Sequence, residues 1–219
     1  MMLQTEPKKE SLVSAMDGTG WRICHSLEEW ELIHQEGVDL LIWKRPAPGL
    51  LATRLESMSL EDLPRGRFTT TPQQARADLA ARLDEVDSIC PTFKELWLEE
   101  LDALLQHFAR VMGALSVGVR LDQLTTDGCS RFHIDNTTVR MLCTYKGPSS
   151  QWLSSDNIYR PRDRRDRFNE EDIQHIPRWS VGLLKGHRHP THTNKIYHRS
   201  PPIAQQGLSR FVFCLDHEG

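Results

Sequence analysis

The apolar positions of this chain change their period near its middle. Before Gly113 they recur mostly at helical spacing, and after it they alternate in twos. Ser26-Leu27-Glu28-Glu29 has the form of a capping box and predicts a helix running to about Gly37, a residue suited to C′. Val38 to Trp43 (VDLLIW) reads as a short buried strand, stopped by Pro46 and Pro48. Thr71-Pro72-Gln73-Gln74 supplies a cap, a proline at N1 and a glutamine at N3, so a second helix is expected there. A third starts at Thr92 and continues to about Met112. Its residues Phe93, Leu96, Trp97, Leu101, Leu104, Leu105, Phe108 and Met112 fall on one stripe, which is packing surface.

Beyond Gly113, Leu115, Val117, Val119 and Leu121 alternate with small or polar residues, the pattern of a half-buried strand. Asp127-Gly128 is a turn signal. Strands are then expected at Ser130–Asp135, Val139–Tyr145, Ser180–Lys185 and Arg210–Leu215. Helices followed by a run of short strands predict an α+β fold, and several strands around one site predict a barrel or jelly roll. The expected organisation is a disordered tail over residues 1–20 and one domain over 21–219, helical to about 113 and a β-barrel core from 114 to 217. The segment from Gly147 to Arg178 is poor in apolar residues and reads as a lid or binding loop. Its run from Arg160 to Arg167 mixes charges as a solvated face does; contact with an acidic substrate is the alternative.

Composition narrows the function class. The chain has 219 residues, 38% of them hydrophobic and 26% charged, which suffices for a globular core. A formal net charge of −3 argues against a surface built for nucleic-acid phosphates. No apolar stretch reaches membrane-spanning length, and the polar start MMLQTEPKKESLVSAMDG lacks the apolar core of a signal peptide. Five scattered cysteines without a C-x-x-C pair are expected to be reduced thiols in a cytoplasmic protein.

The candidate chemistry begins at Arg131-Phe132-His133-Ile134-Asp135. Residues i and i+2 of a strand share a face, so His133 and Asp135 can point the same way while Ile134 packs on the other side. His198, on a separate strand, completes a set of two imidazoles and one carboxylate. Such a set leaves half of a metal's coordination sphere open and suits non-haem Fe(II). The alternative is an ordinary histidine–carboxylate pairing. Arg210, twelve positions after His198, opens an apolar strand. A guanidinium there needs an anion, either a nearby Asp or Glu or the far carboxylate of a dicarboxylate co-substrate such as 2-oxoglutarate. Tyr145, Arg140 and Lys185 lie on barrel-type strands and are candidates for a second co-substrate contact. His187, His189 and His192 form a rival cluster that could hold Zn²⁺, and a non-catalytic metal-binding or metal-homeostasis protein, using that loop or the same barrel to hold zinc, is the alternative function.

The stretches FHIDNTTVRMLCTYKGPSSQWL, VGLLKG, HRSPP and RFVFCLD resemble an uncharacterised bacterial family known as domain of unknown function 1826. In motif order they are also similar to the wider 2-oxoglutarate/Fe(II) oxygenase superfamily. The resemblance implies a double-stranded β-helix of the jelly-roll or cupin type in the C-terminal half, supported by N-terminal helices. It further implies iron ligation by His133, Asp135 and His198, with Arg210 anchoring 2-oxoglutarate. Val212 stands two after Arg210, where several of these oxygenases carry Ser. The substrate, a small molecule or a protein, is left unnamed.

Overall fold

The computed structural model describes residues 19–159 and 166–219; residues 1–18 of the expected tail, and most of the charged run that begins at Arg160, lie outside the described residues, while the tail's last residue, Gly20, opens a strand. Its elements are β1 (Gly20–Cys24), a 3₁₀ helix (Glu28–His34), β2 (Val38–Trp43), α1 (Gly49–Ser57), β3 (Gly66–Thr70), α2 (Ala75–Asp84) and α3 (Pro91–Met112). The second half adds β4 (Val117–Leu124), β5 (Val139–Lys146), β6 (Gln151–Ser154), β7 (Gln174–His175), β8 (Val181–Lys185), β9 (Ile196–Arg199) and β10 (Arg210–His217).

The strands form two open sheets. The large one has the order β1-β2-β8-β5-β10-β4-β3, antiparallel except where β1 pairs with β2. The small one has the order β7-β6-β9. Neither sheet closes on itself, so the architecture is mixed α+β rather than a closed barrel. Three N-terminal strands join the same sheet as the C-terminal ones, which corrects the division into a helical half and a β half.

Strand period explains why the large sheet separates two cores. On β5, Val139, Met141, Cys143 and Tyr145 face the helices, as do Phe211, Phe213 and Leu215 on β10. They meet Leu98, Leu101, Leu105 and Phe108 of α3 and Leu51 and Leu55 of α1. On the opposite face Leu142, Leu184, Val212 and Cys214 meet Trp152 of β6 and Ile196 of β9. Burying these side chains from water is the main drive for both layers, at about 25 cal/mol per Å² of apolar surface.

Several local expectations are met and others corrected. The strand Val38–Trp43 and the long helix to Met112 form as read, the helix ending on Gly113 in the left-handed region (φ 60°). The predicted helix from Ser26 is instead 3₁₀, with Trp30 N donating to Leu27 O and Gln35 N to Leu32 O. Its capping box does not form: Glu29 Oε2 accepts from His25 N, one residue before Ser26. The helix expected at Thr71 is regular from Ala75, after a turn in which the Thr71 carbonyl accepts from the amides of both Gln74 and Ala75. Leu115 is 88% exposed, and the strand begins at Val117. Ser130–Asp135 is not a strand; a single antiparallel bridge joins His133 to His198. The segment from Gly147 to Arg178 is not a structureless lid, since it supplies β6 and β7, with Trp152 and Leu153 buried.

Candidate metal centre

The bridge that replaces the expected strand is what builds the site. His133 N donates to His198 O and His198 N to His133 O, both at 3.0 Å. The two imidazoles are thereby set side by side, with ring centroids 4.5 Å apart. Asp135, two residues on, turns its carboxylate toward the same point: Oδ1 lies 3.5 Å from His133 Nε2 and Oδ2 lies 3.1 Å from His198 Nε2. One potential ligand atom from each residue falls within 4.8 Å of the others, and this is the one such group of three among the described residues. His187, His189 and His192 do not converge in this way; the His187 and His192 rings meet edge to face and His189 stacks on His34. The rival zinc cluster is therefore not assembled.

The donor set fits a metal ion. His133 Nδ1 lies 2.9 Å from the Arg131 carbonyl, which accepts its proton and leaves Nε2 with a free lone pair. Asp135 Oδ2 is buried and has no hydrogen-bond donor of adequate geometry, while Oδ1 accepts from Arg140 Nη1. A buried carboxylate oxygen without a donor is costly unless a cation takes that place. Burial pushes the Asp135 carboxyl up, but the adjoining imidazoles and the charges of His198 and Arg140 outweigh it and hold the group well below the usual carboxylate range. The close carboxylate raises the pKa of His133, and burial lowers that of His198. A metal-ready set needs the carboxylate charged and the imidazoles neutral; the shifts of Asp135 and His198 favour that state, whereas the raised His133 holds a proton that a bound cation would displace.

His133 and His198 border a cavity of about 210 Å³ between the sheets, and Asp135 sits behind them against Arg140, which also lines it. Arg210 lines it from β10 with its side chain fully buried. Its Nη2 donates to Ser150 Oγ at 2.9 Å and Thr144 Oγ1 at 3.3 Å, and its Nε has no acceptor. No carboxylate pairs with it among the described residues, and burial lowers its pKa to about 10. The salt bridge weighed from sequence is thus absent there. Val212 packs as an apolar wall, and the hydroxyls that bond Arg210 come from Thr144 of β5 and from Ser150, just before β6.

The remaining candidates divide by strand parity. Arg140 faces the cavity, but it holds Asp135 and, through Nε and Nη2, both oxygens of Asp216 at 2.6 and 3.1 Å. Tyr145 is on the helix side, where its hydroxyl donates to Glu100 at 3.1 Å. Lys185 also points away from the metal centre and donates to Gln35 O and Thr191 Oγ1. Neither lines the cavity. Thr144 was legible in principle, since it shares parity with Arg140 and Leu142; Ser150 carried no sequence signal.

The solved dioxygenase for auxin oxidation 1 from Arabidopsis thaliana, a 2-oxoglutarate binary complex, aligns with TM-score 0.53 at 8% identity over 91% of this chain and 92% of that one. IDO from Bacillus thuringiensis gives 0.45 at 12% identity, covering 89% and 95%. A Pseudomonas putida prolyl-4-hydroxylase gives 0.41 at 10% identity, covering 88% and 97%. The first alignment shows a shared fold and, at that identity, nothing finer. No curated protein matches the sequence. Residues 25–216 match the family "Protein of unknown function (DUF1826)", and the chain belongs to that family.

Proposed function

We propose that this chain is an Fe(II)- and 2-oxoglutarate-dependent oxygenase of the hydroxylase type. One observation carries the reading: a single cavity is bordered by the two histidines of a three-donor metal set and, from another strand, by a buried arginine that has no anionic partner among the described residues. His133, Asp135 and His198 would hold the metal on one side, and Arg210 would hold the distal carboxylate of 2-oxoglutarate. When bound, iron and 2-oxoglutarate supply the activation of O₂. The two facing sheets are read as an open form of the double-stranded β-helix.

The chain's own residues then have definite tasks. Arg140 occupies Asp135 Oδ1, so the carboxylate offers the metal one oxygen, Oδ2. The Arg131 carbonyl fixes the His133 tautomer. Thr144 and Ser150 orient the Arg210 fork without neutralising it, which leaves its charge for the ligand. Leu124, Leu142 and Val212 supply apolar lining that limits water at the reacting centre. All five cysteines are free, which suits a reducing compartment such as the cytoplasm.

Anaerobic addition of Fe(II) and 2-oxoglutarate is expected to give a visible charge-transfer band that His133→Ala lacks. Absence of the band in the wild-type protein, together with no succinate formed under air, would sink the reading.

A further inference from the structure

The cavity face of the large sheet carries more cationic groups than its carboxylates satisfy. Arg67, Arg120, Arg140 and Arg210 line the cavity, against Asp122, Asp135 and Asp216. Asp122 Oδ1 accepts from Arg67 Nε and Nη2 at 3.2 and 3.1 Å. Asp216 is held on both oxygens by Arg140, and Asp135 on one. Arg120 has the loosest partners of the four, making only long ion pairs to two carboxylates that Arg67 and Arg140 already hold. Its nearest carboxylate oxygens are Asp122 Oδ2 at 3.5 Å and Asp216 Oδ2 at 3.9 Å, beyond hydrogen-bonding range for well-aligned donors. Its Nε is buried and has no acceptor. The group opposite it on β10 is the Cys214 thiol, which burial keeps protonated and which is a weak acceptor.

Arg120 and Arg210 are too far apart to serve one anion group. On β10, Arg210 opposes Leu124, four strand residues from Arg120, about 13 Å of backbone. A divalent metal would add two positive charges to this face and 2-oxoglutarate would remove two, so the surplus at Arg120 persists in the loaded site. Arg67 lies directly across β3 from Arg120 and reinforces the positive field there.

We propose that Arg120, flanked by Arg67, receives an oxyanion of the primary substrate, so that the substrate is a small molecule bearing a carboxylate or a phosphate. This deepens the oxygenase reading and rests on it for the role of the cavity's other end. A cavity of about 210 Å³ shared with a metal and a dicarboxylate admits the charged end of a small molecule.

The test is calorimetric titration of the full chain, loaded anaerobically with Fe(II) and 2-oxoglutarate, with phenylacetate, phenyl phosphate and the neutral phenylacetamide. At least one anion is expected to bind and the amide not; which anion binds tells the carboxylate source from the phosphate. Arg120→Gln should weaken that binding by about tenfold or more, the loss of one charge-assisted contact, while 2-oxoglutarate affinity stays within about threefold of wild type. Arg120→Lys, which keeps the charge but loses the fork, should fall between and decides the matter if the glutamine variant does not fold. Equal binding of the amide, binding that competes with 2-oxoglutarate, no anion binding, or indifference to both Arg120 substitutions overturns the proposal. If the wild-type protein takes no 2-oxoglutarate yet binds phenyl phosphate through Arg120, the oxygenase reading fails and the oxyanion site stands.

Discussion

Arg210 is costly to the fold, and in the proposed oxygenase reading the same burial serves the site. A buried guanidinium with only hydroxyl partners has given up water without gaining a counter-charge, and burial accordingly lowers its pKa to about 10. Replacing it by methionine should leave stability within about 1 kcal/mol of wild type or raise it, because no ion pair is broken. The same change should weaken 2-oxoglutarate binding by about tenfold or more. Paired denaturation and binding measurements check this, and a large loss of stability with unchanged binding would refute it. His189 gives a second residue-scale prediction. Burial and then the neighbouring Lys185 charge lower its pKa to about 4, and its Nδ1 accepts from Thr191 N at 3.2 Å, a bond that protonation removes. The unfolded chain takes up this proton near pH 6.5, whereas the folded one resists until about pH 4. Stability should therefore fall as pH drops through that window. Thermal melts of His189→Gln should show a shallower decline, and parallel slopes would count against the assignment.

At the scale of elements, the site depends on connections rather than on regular structure. Asp135 sits in irregular chain, and its position is set by the turn that leaves β8. His187 N donates to the Asp135 carbonyl at 2.9 Å, Arg188 N to Thr137 O and Gly186 N to Thr138 O. That turn passes so close that a Cβ on Gly186 would lie 2.1 Å from Thr137 O and 2.7 Å from Asp135 O. These are backbone atoms, so they cannot swing aside as a flexible side chain would. Gly186→Ala should cost about 1–3 kcal/mol of stability and reduce metal affinity through displacement of Asp135. Denaturant titration and metal titration of the variant read the two effects separately; a stable protein with native metal affinity would show that the turn has slack. The small sheet has the corresponding role for His198, because β9 is held by β6 in register, Trp152 opposite His198.

For the whole molecule, the large sheet joins a structural face to a chemical one. On the helix side, Glu100 of α3 accepts from Arg45 just beyond β2 and from Tyr145 of β5, tying helix to sheet where little water reaches. Glu100→Ala should cost about 3–5 kcal/mol in denaturant titration, since Arg45 would be left buried and unpaired. On the cavity side, the three candidate donors come together only when β9 is in place and bridged to the segment that carries His133 and Asp135. Fe(II) held at about 100 times its dissociation constant should stabilise the anaerobic fold by about 2.7 kcal/mol, and His198→Ala should lose that increment. Equal stabilisation of the two proteins would place the metal elsewhere. No helix among the described residues is long and apolar enough to cross a membrane.

The sequence by itself determined the elements whose patterns are local. The helical stripe from Phe93 to Met112 and the apolar runs of β2, β5, β8 and β10 state their own period and length, because each buries one face or both against whatever neighbour comes. It also named His133, Asp135, His198 and Arg210, whose residue types and spacing carry chemical meaning without coordinates. Tertiary structure alone decided which side of the sheet each candidate faces. Tyr145 and Lys185 stand on the expected strands but take the parity of the helix core and its neighbours, while Arg140 and Thr144 take the other. It also decided that His133 meets His198 through one bridge, that β6 emerges from an apparent loop, and that Ser150 reaches Arg210. These are non-local pairings, fixed by the closing of distant segments on one another, and no window of sequence contains both partners.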